Sequence, residues 1–203
     1  MALIFAGILI IAIPLWQIWH RASNDSTALY TWQHGGSTAL AARPVGTSTP
    51  IPTSICSAAN APAADYALVT FPVTNGVQYA DVATQGTWNQ LLTRSMVHYN
   101  TSPNPGQPGN MIIGFHREPQ FEYINQMNVG QSISIETRDC ATYTYRITGK
   151  WVLAPSNVTQ LVPTSGSQLT LITCTPWWID TDRIVWRATL VASTPPEATP
   201  AAA

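Results

Sequence analysis

Charge is what this sequence has least of. Nine basic and ten acidic residues make up 9% of its 203 positions, against about 25% in an ordinary globular chain. Eight arginines and a single lysine, Lys150, are scattered without a basic run, and the formal net charge is −1. That excludes nucleic acid as a partner and a polybasic hold on lipid headgroups. Cysteine is scarce as well. Cys56, Cys140 and Cys174 show no metal-ligand spacing with histidine, and the acidic "IDTD" at 179–182 is far shorter than a calcium loop. No metal or cofactor is expected. A low charge fraction fits a membrane-tethered or secreted protein. In an oxidising compartment an odd cysteine is free and reactive or paired between chains. Cys56 and Cys140 can pair and leave Cys174 free.

What is there begins with "ALIFAGILIIAIPLWQIW", residues 2–19, without one charge. About 20 apolar residues cross a bilayer. Pro14 and Gln17 are tolerable inside such a span, and Trp16 and Trp19 suit its interface. The segment lacks the basic start and the small-residue cleavage site of a signal peptide, so a retained single-span anchor over residues 1–21 is the expectation. Residues 22–64, rich in Ala, Ser, Thr and Pro without a hydrophobic period, read as an extended linker. The tail 193–203 has the same composition and reads as disordered.

Between 65 and 192 the pattern changes. "YALVTFPV", "MIIGFHRE", "SISIETR", "TYTYRITGKWVL", "QLTLITC" and "RIVWRATLV" are β-rich, and several alternate with period two. "TWNQLLTR" (87–94) reads as a short helix capped by Thr87. The fold class is all-β, a sandwich or barrel, with one or two short helices.

Three of these runs end on reactive side chains. His116 closes one strand, Cys174 closes another, and Arg183 opens the next. A strand end projects its last side chain toward solvent or a cleft. A thiolate is a nucleophile, an imidazole protonates a departing amine, and a guanidinium holds an oxyanion. Taken singly, a free cysteine is more often a small buried hydrophobe; the combination carries the reading. Arg187, four residues beyond Arg183, falls on the same strand face and is expected to be structural. Trp177 and Trp178 follow the cysteine and either cover a substrate groove or pack the barrel rim. His98, in "SMVHYN", reads as a surface residue near the cleft.

The pattern resembles the sortases, cysteine transpeptidases of bacterial surfaces. Their T-L-x-T-C signature stands here as Thr170-Leu171-Ile172-Thr173-Cys174, and their arginine-led strand as Arg183-Ile184-Val185-Trp186. "PGQPGNMIIGFHRE" is similar to the family's turn, strand and histidine, with Phe115 before His116 where many members carry alanine-glycine-histidine. "NVGQSISIETRDCATYTYRI" (128–147) resembles a further family stretch. The resemblance covers residues 65–192 and leans toward classes E and D. It implies an eight-stranded β-barrel behind a single transmembrane helix, with the catalytic domain on the extracellular face of the cell membrane. It implies Cys174 as nucleophile, His116 as acid/base and Arg183 as transition-state stabiliser, with Thr173, Trp177, Trp178 and His98 as candidate substrate contacts. The implied partners are surface proteins carrying a C-terminal sorting signal of the LPxTG or LAxTG kind, and an amine acceptor such as a peptidoglycan cross-bridge or a pilin lysine. An L,D-transpeptidase is disfavoured because its signature keeps serine, histidine and glycine before the cysteine, where this chain has Ile172 and Thr173. The non-enzymatic reading is an adhesin or assembly module with Cys174 buried.

Overall fold

The computed structural model describes residues 2–35 and 57–195, with the side chains of 2–6, 8, 9 and 57 excepted. Eight strands follow one long helix. They are β1 (Asp65–Thr70), β2 (Ala80–Gly86), β3 (Met96–Tyr99), β4 (Gly109–Phe115), β5 (Ser132–Thr137), β6 (Thr142–Leu153), β7 (Ser167–Thr175) and β8 (Asp182–Thr194). They close into a barrel in the order β1-β2-β3-β4-β7-β8-β6-β5, and β1 completes the ring by pairing with both β2 and β5. The β2–β3 and β4–β7 pairings are parallel and the rest antiparallel.

Alternation builds the interior. Along β1 every second residue is buried, and the inward set from all strands meets in one core of Val69, Phe71, Met111, Ile113, Phe115, Ile133, Ile135, Leu169, Leu171 and Trp186. Each large apolar side chain buried there contributes roughly 1.5–3 kcal/mol. Trp186 is fully buried, and its indole N–H donates to the Met127 carbonyl at 3.2 Å, which removes the cost of an orphaned donor. The predicted helix at 87–94 is a 3₁₀ turn, Trp88–Leu92, closed by a Thr87/Gln90 capping box.

The N-terminal segment departs from expectation. One helix, α1, runs unbroken over Ala2–His34, so residues 22–34 are not an extended linker. The reason is tertiary. Ala28 and Trp32 are buried against Ala58, Ala61 and Val82, with Leu29 and Cys140 beside them, and the Trp32 indole donates to Glu136 Oε1 at 2.8 Å. The interval 36–56 and the tail from 196 lie outside the described residues; Ser193 and Thr194 belong to β8. Cys140 is disulfide-bonded and Cys174 is free; Cys56 lies outside the described residues. Among the described residues no helix is long and apolar enough to cross a membrane.

A buried charge cluster fastens α1 to the barrel. Asp25 accepts from the Ser95 amide at 3.1 Å with both oxygens and from Arg94 Nε at 3.1 Å. Arg94 also donates to Asp65 Oδ1 at 2.6 Å and to the Val82 carbonyl. Asp81 is the odd member. One oxygen accepts from the Val82 amide and the other is buried without a partner. Burial, with Asp25 next, raises its pKa to about 7 against the weaker pull of Arg94.

An acid whose pKa rises on folding binds its proton more tightly when folded. Asp81 therefore weakens the fold as pH climbs from the ordinary carboxylate range through about 7. Asp81→Asn is expected to raise stability at pH 8 by on the order of 2 kcal/mol and to leave it nearly unchanged near pH 4. Urea unfolding at the two pH values checks this; an equal effect at both would sink the assignment.

Candidate active site

Two pairings bring the reactive side chains together. In the parallel β4–β7 ladder Gly114 stands opposite Ile172. Two residues further on each chain, the same register sets His116 level with Cys174. In the antiparallel β7–β8 ladder Cys174 pairs directly with Arg183. Thr173 locks the first alignment: its hydroxyl donates to the Phe115 carbonyl at 2.5 Å, joining the residue before the thiol to the residue before the imidazole. The His116 amide donates to the Ser95 carbonyl at 2.8 Å.

His116, Cys174 and Arg183 line one cleft of about 430 Å³ with Trp88, Leu91, Gly114, Pro155, Val158, Leu161, Ile172 and Thr173. Its walls are mostly apolar. Gly114 has a steric task here, because a Cβ would meet the Trp88 ring at 2.4 Å. Its bare backbone lets the indole close one side of the cleft. The opposite wall, residues 158–161, is tied down through the Gln160 carbonyl, which accepts from Asn110 Nδ2 at 3.0 Å and from the Arg187 guanidinium. Arg187 also donates to Gln168 Oε1 at 2.7 Å, so it braces the wall rather than entering the cleft.

Burial works against the charged form of both the thiol and the imidazole. Burial pushes the Cys174 pKa up; Arg183 opposes that, and Asp180 and Glu118 add to it. Burial pushes the His116 pKa down, and Arg21 of α1 adds to that, against the Leu91 carbonyl, Asp180 and Asp25. Arg183 is held by its donations to the Asp180 and Asp182 carbonyls at 3.1 and 3.0 Å. It is the nearest compensating charge for a thiolate or an oxyanion formed at Cys174.

The remaining candidates fall elsewhere. His98 is buried, not on the surface: it stacks on Tyr66 at 4.2 Å, and its Nε2 lies 3.1 Å from both the Pro103 carbonyl and the Ser102 hydroxyl. Burial lowers its pKa to about 4. Thr173 lines the cleft, but its hydroxyl is engaged by Phe115. Trp177 and Trp178 do not line it. Trp177 packs under the Arg117 guanidinium at 5.4 Å, and the Trp178 amide donates to Glu118 Oε1 at 3.0 Å. Arg117 donates in turn to the Thr175 hydroxyl at 3.1 Å and the Glu122 carbonyl at 2.8 Å. The segment after His116 thus grips the chain just beyond Cys174.

Sequence reasoning did not reach Trp88, Leu91, Val158 or Leu161 as cleft walls. It also missed Arg21, whose Nη1 lies 2.7 Å from His116 Nε2. The short helix predicted over 87–94 is the only signal that pointed toward that wall.

A thiol, an imidazole and a guanidinium line one mostly apolar cleft, the groups that acyl transfer through a cysteine nucleophile uses. The sequence profile described as Sortase domain matches residues 62–191, and the chain belongs to the sortase family of cysteine transpeptidases. It is similar to the sortase D5 transpeptidase of Clostridium perfringens, with 26% identity, 63% of this chain and 79% of that one covered, and a TM-score of 0.54. Sortase E of Streptomyces avermitilis matches at 25% identity over 64% and 90% of the two chains, TM-score 0.55. Listeria monocytogenes sortase A shares the fold at 22% identity over 68% and 92%, TM-score 0.56. No curated protein matches the sequence.

Iodoacetamide is expected to modify Cys174 in the folded, unreduced protein. The rate should climb with pH to a midpoint above that of an ordinary cysteine, because burial raises the thiol. Arg183→Ala removes the one opposing charge and should move the midpoint higher still. Mass spectrometry of the Cys174 peptide across pH reads both shifts; a lower midpoint in the variant would refute the electrostatic assignment.

Proposed function

We propose that this chain is a membrane-anchored sortase of the class D/E kind. It cleaves an LPxTG- or LAxTG-like sorting signal between threonine and glycine and passes the protein to an amine. The register that sets Cys174 against Arg183 and level with His116, on an open cleft, carries this reading. A cysteine serving only as core would not line that cleft beside a histidine and an arginine.

The mechanism follows from the resting charges. Cys174 Sγ bonds to the threonine carbonyl carbon as its proton passes to His116. The carbonyl oxygen gains charge, and the Arg183 guanidinium stabilises it. When the carbon–nitrogen bond breaks, the His116 imidazolium returns the proton to the departing glycine amine, leaving a thioester on Cys174. The acceptor amine, from a cell-wall cross-bridge or a pilin lysine, then bonds to the same carbon and yields its proton through His116. The new amide leaves and the thiol reforms. Burial works against both the thiolate and the imidazolium, so Arg183 is the group that offsets charge formed at Cys174.

Attachment to the membrane rests on the uncharged run 2–19 and its surroundings. Most of the large apolar side chains described in that part of α1 are exposed, Ile10 at 72% and Trp19 at 67%, with Ile18 half-buried. A soluble barrel has no use for such a rod of apolar surface, whereas lipid covers it at no cost. The catalytic domain then lies outside the cell, where surface proteins present their signals.

The test uses the full chain in detergent with LPxTG and LAxTG peptides and triglycine. An acyl adduct on Cys174 and a ligated product are expected with at least one peptide, and both should vanish in Cys174→Ala. Ligation that survives in that variant, or no adduct with either peptide, counts against the assigned roles.

A further inference from the structure

The group nearest the reactive atoms of His116 comes from α1. Arg21 follows the apolar run by two residues, and its Nη1 lies 2.7 Å from His116 Nε2. A guanidinium offers no lone pair, so it donates and Nε2 accepts. The imidazole proton is then on Nδ1. Yet the Leu91 carbonyl lies 2.9 Å from the same Nε2, where it can accept only from a protonated nitrogen. Nε2 thus stands between a donor and an acceptor and satisfies one at a time. With Arg21 in place it takes the donor. With Arg21 gone it can carry a proton, donate a hydrogen bond to the Leu91 carbonyl, and pass the proton to substrate.

Arg21 is not there by chance of a loose side chain. The same face of α1 is fastened further along by Asn24, which donates to the Thr93 carbonyl at 2.9 Å, and by Asp25 on Ser95 and Arg94. Trp32 fastens it again at Glu136. The spacing 21, 24, 25, 28, 32 is that of one helical face.

We propose that Arg21 is a positioning residue for His116: the seated helix pins the imidazole as the neutral Nδ1–H tautomer, and withdrawal of Arg21 frees Nε2 to act as the acid. This rests on the roles assigned above to His116 and Cys174. The charged and titratable groups around the imidazole are Arg21 and Asp25 on α1, Asp180 on the β7–β8 loop, and Cys174 and Arg183 on the cleft wall. Burial and Arg21 work against an imidazolium; Asp180, Asp25 and the Leu91 carbonyl favour it. Protonating the ring while Arg21 is seated would set two cations within hydrogen-bond distance. Seating of the N-terminal helix therefore holds the site at rest.

Long-range proton–nitrogen NMR of the ¹⁵N-histidine full chain in detergent reads the tautomer directly, with the His116 signals assigned by their loss in His116→Gln. The wild-type chain should show the Nδ1–H pattern and titrate below the ordinary histidine range. Arg21→Met should bring up the Nε2–H form and raise the midpoint, and Arg21→Lys, which keeps the charge, should fall between. The Trp32 indole signal reports whether the helix remains seated. Thioacylation of Cys174 by the sorting peptide should be several-fold faster in Arg21→Met, and its pH profile should move upward. A wild-type ring already in the Nε2–H form, or a tautomer and midpoint unchanged in Arg21→Met, overturns the proposal. The wild-type spectrum decides without any variant having to fold. If no peptide reacts with any form, the catalytic roles fail while the spectra still settle Arg21.

Discussion

The parallel pairing of β4 with β7 is the constraint on which the site depends. Their register, Gly114 against Ile172, carries both chains forward in step toward His116 and Cys174, and both side chains line one cleft. The Thr173 hydroxyl on the Phe115 carbonyl fixes that step where the ladder runs out. A slip of one residue would turn the Cys174 side chain to the core face of the strand. The antiparallel pairing with β8 then needs no further adjustment to bring Arg183 to the cysteine.

Burial sets the chemistry that this geometry permits. The same desolvation that raises the thiol lowers the imidazole, so the site favours two neutral groups over an ion pair. One guanidinium in reach of Cys174 offsets the cost only in part, and the two acids Asp180 and Glu118 oppose it. The cleft is thus built to create charge on demand. Its apolar walls, Trp88, Leu91, Val158 and Leu161, strengthen each electrostatic contact once water is displaced. The buried cluster under α1 follows another rule. Arg94 answers Asp25 and Asp65 at 3.1 and 2.6 Å, while Asp81 is left to rise toward neutrality, because one cation cannot neutralise three buried acids.

Much of the barrel was legible because period-two alternation is a local property. "QLTLITC" and "RIVWRATLV" announce their inward faces, and the three motifs order themselves along the chain. Other features were hidden because they depend on what packs against a segment. "ASNDSTALYTWQH" is poor in strong helix formers and rich in Ser, Thr, Asn and Asp, which prefer caps and turns. It becomes helix because Ala28 and Trp32 find a hydrophobic seat and Asp25 finds Ser95 and Arg94. His98 is buried with Met96 and Val97 before it, and its packing on Tyr66 and its contacts with Pro103 and Ser102 come from residues the local pattern does not reveal. Trp177 and Trp178 follow Cys174 in sequence, but what they meet, the Arg117 guanidinium and the Glu118 carboxylate, comes from the segment after His116.

The continuity of α1 joins these features into one device. A helix of 33 residues is about 50 Å long, and its first half is apolar while its second half is seated on the barrel. Arg21 stands at the changeover. The face that seats the second half on the barrel through Asn24 and Asp25 is also the face that sets Arg21 against His116.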